Sequence, residues 1–277
     1  MGNAKVIRAL ALSCHPIPTM AVTCMSAGLG ALAHLPIGRG ALMVCAIFTG
    51  QLSIGWCNDY LDAERDRAVL RHDKPVAVGS LKPRVAAVAA VAALAASLAL
   101  SVALGWAGGG AAAVIVLCGW AYNFGVKATV WSWLPYALAF GMLPAVATLS
   151  AVPVRWPAAW ALSAGALLGV AAHLANVLPD LGDDLDMGIR GLPHRIGGTA
   201  TAWSAAGILL IASAVILFGP IGQPDAWRWA GFAAATVVAA VAVRVAYTDP
   251  ASRRVFQAII LIAALDLLSF AGSGVAL

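Results

Sequence analysis

The chain has 277 residues, 62% of them hydrophobic and only 10% charged, where a soluble globular protein carries about 25% charged residues. That leaves too little polar surface for a water-soluble globule and indicates a polytopic membrane protein. The formal net charge of +5 has no soluble basic domain to sit on, which excludes a nucleic-acid-binding module and suits an anionic membrane face.

A spanning helix needs about 20 apolar residues, and nine stretches reach or approach that length. The first is 17–36. Only Lys5 and Arg8 precede it as cations, and no small-residue cleavage site leads into a soluble domain, so it reads as a retained span and not as a signal peptide. The second, 39–57, runs straight into Asn58-Asp59-Tyr60-Leu61-Asp62-Ala63-Glu64-Arg65-Asp66. Asp59, Asp62 and Asp66 are three and four apart, so a helix continuing past Cys57 would set them on one face. Cations follow at Arg67, Arg71 and Lys74.

The third and fourth stretches are 85–105 and 108–124, and Tyr122, Asn123 and Lys127 close the fourth. The fifth and sixth are 131–151 and 157–178. A second acidic run follows at Asp180, Asp183, Asp184 and Asp186, then Arg190 and Arg195, and Asp180 and Asp184 again have helical spacing. The last three stretches are 200–220, 226–247 and 255–275. All are rich in alanine and glycine, which lets helices approach closely in lipid. Strand-type alternation is absent, so a barrel is disfavoured. The whole chain, 1–277, reads as one all-α transmembrane domain.

Charge sets the orientation. With the N-terminus cytoplasmic, 14 of the 17 lysines and arginines fall on that side, Arg244, Arg253 and Arg254 among them, and only Arg39, Arg155 and Arg228 fall on the other. Nine of the 12 acids lie in the loops after the second and sixth stretches, on the same cytoplasmic face; Asp225, Asp249 and Asp266 are elsewhere. Facing carboxylates repel unless a divalent cation lies between them, and Mg²⁺ takes a few carboxylates while leaving positions for water and phosphate oxygens. Acids, a metal and accompanying cations suit a diphosphate. No Gly-rich phosphate loop is present, which excludes a P-loop NTPase.

The five cysteines show no metal-ligand spacing and read as small buried hydrophobes. His173 reads as a satisfied intramembrane polar residue, with an acceptor-site role as the alternative. His72 and His194 read as solvated loop residues, and the tryptophans at 131, 133, 156, 160, 227 and 229 as interfacial anchors. Asp266 is a costly acid in the last stretch without an evident partner.

Asn58-Asp59-x-x-Asp62-x-x-x-Asp66 resembles the NDxxDxxxD motif of the UbiA superfamily of intramembrane prenyltransferases. Asp180-x-x-x-Asp184 resembles its second motif, and Gly188-Ile189-Arg190 the short continuation after it. Lys74-Pro75-x-x-x-Gly79 and Tyr122-Asn123-x-x-x-Lys127 resemble two further elements, all in the family's order. The resemblance implies nine transmembrane helices in a ring around a lipid-open cavity, capped by the loops after the second and sixth helices. It implies Mg²⁺-dependent transfer of a prenyl group from an isoprenoid diphosphate to a small acceptor, an aromatic one favoured, within membrane lipid.

On that resemblance, Asp59, Asp62, Asp66, Asp180 and Asp184, with Asp183 third in the second cluster, are expected to hold metal. Arg67, Arg71, Lys74, Lys127 and Arg190 are expected to take diphosphate charge. Asn58, Asp62, Tyr122 and Lys127 are expected at the reacting centre. Lys74 stands where the family commonly has arginine, which keeps charge but not a bidentate grip. The same motifs admit a terpene cyclase or a phosphoribosyl transferase acting on a polyprenyl phosphate. A cation or anion transporter would instead place its acids near the bilayer midplane.

Overall fold

The computed structural model describes residues 3–248 and 254–272, and within them every regular element is helical. Asp249, Arg253 and the end of the last predicted stretch, 273–275, lie outside the described residues. The helices are α1 (Asn3–Ser13), α2 (Pro16–Leu32), α3 (Ile37–Leu61), α4 (Ala63–Ala68), α5 (Pro83–Ala103), α6 (Trp106–Asn123), α7 (Leu134–Leu149), α8 (Ala159–Val177), α9 (Leu181–Asp186), α10 (Leu192–Ile196), α11 (Gly198–Phe218), α12 (Ala226–Thr248) and α13 (Arg254–Gly272). Proline opens α2, α5 and α7 at the first turn, where its missing N–H costs nothing.

Each of the nine predicted stretches has a helix. Five helices among the described residues are long and apolar enough to cross a membrane: Ile37–Leu61, Pro83–Ala103, Ala159–Asp186, Gly198–Phe218 and Ala226–Val245. The pair α1 and α2, bent by 70°, makes a sixth if counted as one span, and Leu134–Leu149 is apolar but shorter. The glycine-rich α6 and α13, which carries Arg254 and Asp266, are not among them.

The long helices form a closed circuit. Leaving aside the short α4, α9 and α10, each from α2 to α13 packs on the next, and α13 returns to α2. Apolar side chains such as Val88, Val91, Ile211, Val237 and Leu268 are exposed on the outside, as lipid-facing surfaces require. Close approach rests on small residues. A Cβ on Gly169 of α8 would sit 2.3 Å from the Tyr136 carbonyl of α7, and one on Gly165 would sit 2.5 Å from the Phe140 carbonyl.

Two of the three arginines assigned to the far side close helix ends. Arg39 donates to the carbonyls of Leu104 and Ser150, just past α5 and α7. Arg228 donates to the carbonyls of Leu217 and Gln223, at and beyond the end of α11. Cations at helix C-termini satisfy orphan carbonyls and complement the helix dipole. Two expectations change here. Cys24 and Cys45 are exposed and not buried, because they occupy outer helix faces where lipid, not a neighbouring helix, covers a small apolar group. Asp266 has a partner, the Ser213 hydroxyl of α11, 2.8 Å away.

Candidate active site

At one end of the ring, three connections converge over a cavity of about 490 Å³. α3 stops at Leu61, and Asp62 both ends α3 and begins α4. The chain returns through turns at 69–82 before α5. After α8, a 3-10 turn at Leu178–Asp180 leads into α9 and α10. The third connection is the turn holding Val126–Ala128 between α6 and α7.

The two acidic runs meet across this end. Arg71 donates to Asp180 at 2.8 Å while its Nε holds Asp73 at 3.0 Å, joining residues 109 positions apart. Lys127 reaches both oxygens of Asp62, at 2.7 and 2.6 Å, and Arg65 pairs with the same carboxylate. His194 lies 3.2 Å from Asp184. Asn58 donates to Asp62 at 2.9 Å and to Asn123 at 3.3 Å, and Asn123 donates to the Ile54 carbonyl at 2.9 Å.

Of the expected residues, Asn58, Asp62, Asp66, Arg71, Lys74, Tyr122, Lys127, Asp180, Asp183 and Asp184 line the cavity. Asp59, Arg67 and Arg190 do not. Asp59 was expected on one face with Asp62 and Asp66. α3 ends at Asp62, and Asp59 lies behind the cavity lining, its side chain fully buried. The Ser13 hydroxyl donates to it at 2.6 Å, Lys74 donates at 2.6 Å, and the His15 ring lies at 2.9 Å. Arg67 is spent on the carbonyls of Val76 and Ala77, and Arg190 is exposed.

Sequence reasoning missed His15 and Tyr136 and took His194 for a solvated residue. His15 has a left-handed backbone, φ 55°, just before Pro16, an uncommon state for a non-glycine residue. It brings the ring Nε2 within 2.8 Å of Lys74 as well as beside Asp59. The available signal was a histidine placed directly before a helix-opening proline. His194 is buried against Asp184, its side chain only 2% exposed. His173 is buried and shares a hydrogen bond with Ser132, while Tyr122 and Tyr136 stand against it at ring distances of 5.7 and 5.1 Å. It does not line the cavity; Tyr122, Tyr136 and Phe140 do. The exposed Trp131, Trp156 and Trp227 fit interfacial anchors, whereas Trp160 is turned partly inward.

Electrostatics at this end follow from burial and pairing. Burial pushes the Lys127 ammonium down to about 7, and the Arg65 guanidinium adds to that while Asp184 and Asp66 oppose it. Its Nζ keeps both contacts with Asp62 at this buried position. Burial raises the Asp66 carboxyl above the ordinary range, partly offset by Lys74. The hydrogen bond to Asp73, reinforced by Asp180, holds the Arg71 guanidinium firmly protonated.

Six carboxylates line the cavity against four lysine and arginine cations, a formal charge of −2 with both histidines neutral. No three ligand-type side chains among the described residues already stand as a closed metal cage; the carboxylates are held apart by their cations. A net anionic, oxygen-rich mouth with cations beside it fits divalent metal together with phosphate oxygens.

The family model for the UbiA prenyltransferase family matches residues 18–272. Solved structures with the same fold include a UbiA homolog from Archaeoglobus fulgidus bound to DMAPP and Mg²⁺, at 16% identity over 95% of this chain and 98% of that one, with a TM-score of 0.73. A UbiA homolog from Aeropyrum pernix K1 is similar at 14% identity over 92% and 97%, with a TM-score of 0.72. A structure of digeranylgeranylglyceryl phosphate synthase is similar at 16% identity over 97% and 98%, with a TM-score of 0.67. No curated protein sequence matches the chain.

Proposed function

Because the chain belongs to the UbiA prenyltransferase family, as an integral membrane prenyltransferase, we propose that it transfers a prenyl group from an isoprenoid diphosphate to a small aromatic acceptor, with Mg²⁺ bound at the cavity mouth. The carrying observation is the convergence of Asp62, Asp66, Asp180, Asp183 and Asp184 on one cavity, with Arg71, Lys74 and Lys127 among them. The A. fulgidus homolog is solved with DMAPP and Mg²⁺ and with GPP and Mg²⁺, which supports donor class and metal.

Asp62, Asp66, Asp180 and Asp184, with Asp183 beside them, would hold the metal. Bound there, Mg²⁺ supplies positive charge to the departing diphosphate. Lys127, Lys74 and Arg71 donate to diphosphate oxygens as the allylic C–O bond lengthens, stabilising charge that develops on the leaving group. Asp59, with His15 and Ser13, does not touch substrate; it holds the Lys74 ammonium in place. Tyr122 and Tyr136, 5.2 Å apart and edge to face, offer π-faces to allylic positive charge and an aromatic wall for an aromatic acceptor. Asn58 holds Asp62 at the mouth. We place the mouth and its two loops on the cytoplasmic side, on the basis of the lysine and arginine distribution, and read the ring as nine spans.

The test uses purified protein in nanodiscs with Mg²⁺, dimethylallyl, geranyl, farnesyl and geranylgeranyl diphosphates, and phenolic and naphthoic acceptors. The readouts are pyrophosphate release and the mass of the organic product. An acceptor adduct that is lost in Asp62→Ala and Asp184→Ala is expected. Metal-dependent pyrophosphate release with a hydrocarbon or terpene alcohol and no adduct would replace the transferase reading with a cyclase.

A further inference from the structure

Ser132 lies between the Val126–Ala128 turn and α7, fully buried and outside the cavity lining. Its hydroxyl oxygen accepts the backbone N–H of Leu192, the first residue of α10, at 3.0 Å. The same oxygen stands 3.0 Å from Nε2 of His173 on α8. A hydroxyl has one hydrogen to give, and His173 Nε2 is the acceptor in reach of it. This pairing assigns the ring proton to Nδ1, which is buried and has no hydrogen-bond partner among the described residues. One nitrogen of His173 is thus left unpaired while the other holds Ser132, which makes the histidine a poor choice for stability alone. The value of the contact lies in what Ser132 holds.

That hydroxyl joins segments that carry both sides of the mouth. On one side is the turn with Lys127, whose Nζ holds the two oxygens of Asp62 at 2.7 and 2.6 Å. On the other is α10, which carries His194, 3.2 Å from Asp184. The chain entering α10 presses on the same turn: a Cβ on Gly191 would sit 2.5 Å from the Lys127 carbonyl and 3.0 Å from Ser132 Oγ. Thr201 of α11 also holds α10, through the Pro193 carbonyl, but Ser132 is the hydroxyl that binds α10 to the Lys127 turn. Asp62 and Asp184 belong to different acidic runs. Arg71 and Asp180 bridge those runs at the cavity, and Ser132 joins the partners of two more of their acids behind it.

We propose that Ser132, fixed from behind by His173, is a positioning residue for the two acidic runs: it seats the Lys127 turn and α10 together and so sets the spacing of Asp62 from Asp184. The inference rests on the reading of the mouth as a metal and diphosphate site. Mg²⁺ demands near-ideal geometry, with oxygens at about 2.0–2.1 Å, so carboxylates from separate loops must already stand at the right separation when the ion arrives. Groups that orient metal ligands from behind act on metal affinity in this way. Loss of the seat therefore weakens capture of metal and diphosphate ahead of the chemical step. Tyr122 and Tyr136 pack against the His173 ring at 5.7 and 5.1 Å, which keeps the imidazole from turning away from Ser132.

The experiment compares Ser132→Ala, Gly191→Ala and His173→Phe with the wild type, as full chains in nanodiscs. His173→Gln keeps an acceptor near the Nε2 position and tests rescue. Arg39→Ala loosens the opposite end of α3 and controls for general loosening. Thermal unfolding and gel filtration check that each variant is folded. One readout is hydrogen exchange at 126–132 and 190–196. The other is pyrophosphate release with the donors and acceptors named above, over a range of Mg²⁺ and donor concentrations. Ser132→Ala is expected to quicken exchange in both segments and to raise the Mg²⁺ concentration for half-maximal rate and the donor KM about tenfold each, with a smaller change in kcat. Gly191→Ala should shift the same quantities from the other side of the contact, and His173→Gln should restore most of what His173→Phe loses. Exchange unmoved in either segment, a Mg²⁺ requirement and KM within about twofold of the wild type, or equal shifts in Arg39→Ala overturn the proposal. A wild type that releases no pyrophosphate, with exchange quickened in both segments of Ser132→Ala, overturns the reading of the mouth and leaves the seating standing.

Discussion

Three side chains hold the Asp62 carboxylate at the mouth: Asn58, Arg65 and Lys127 all reach it. Removing it leaves a buried lysine with its main partner gone, and breaking a buried pair of this kind costs about 3–5 kcal/mol. Asp62→Asn is therefore expected to lower prenyl transfer by at least about a hundredfold, a loss of about 3 kcal/mol of transition-state stabilisation, and to lower the melting temperature. Asp59→Asn should behave differently, since Asp59 acts through Lys74: the donor KM rises while kcat changes little. A kcat loss equal to that of Asp62→Asn would place Asp59 on the metal instead. The difference between the two acids was invisible in the sequence. Helical spacing groups residues 59, 62 and 66 together, but nothing in that spacing announces that Ser13, His15 and Lys74 close around Asp59. His15 was invisible for a related reason. Its role depends on a left-handed backbone at the α1–α2 junction, and no periodicity announces that.

At the scale of elements, the α7–α8 contact and the Arg71–Asp180 bridge govern whether the mouth keeps its shape. A Cβ at Gly169 would meet the Tyr136 carbonyl at 2.3 Å. Gly169→Ala should thus cost about 1–3 kcal/mol from overpacking and disturb Tyr136, read as a lower melting temperature together with weakened donor binding. Arg71 ties the segment after α4 to the turn before α9. Arg71→Ala should leave the ring folded and speed hydrogen exchange at 178–186; an unchanged exchange pattern would show that the two loops hold position without the bridge. The long helices were readable from apolar length alone, and the positions of both acidic loops followed from where those lengths end. The apolar lining of the cavity was not readable, because Met25, Phe140, Leu168 and Ala263 sit within four separate apolar stretches in which every residue looks alike until the helices are packed.

For the whole molecule, composition gave the solvent and charge gave the proposed sidedness. Single cysteines placed in a cysteine-free background at Glu64, in α4, and at Ile221, after α11, should label from opposite faces of sealed vesicles, Glu64→Cys from the cytoplasmic side. Labelling of both from one face would refute the orientation. Chelating divalent metal with EDTA should abolish transfer, and added Mg²⁺ should restore it, without unfolding the ring, since the described cap is already tied by Arg71, Lys127 and His194.

The bent junction between α1 and α2 has a practical consequence. The family match begins at residue 18, after Ser13 and His15, yet these two side chains make two of the three contacts that hold Asp59, and Asp59 in turn holds Lys74. A version trimmed to the boundary of its family would keep every acid of both acidic loops and lose the support beneath one of its cations. It would still look whole by motif, and it would grip its donor's diphosphate less well.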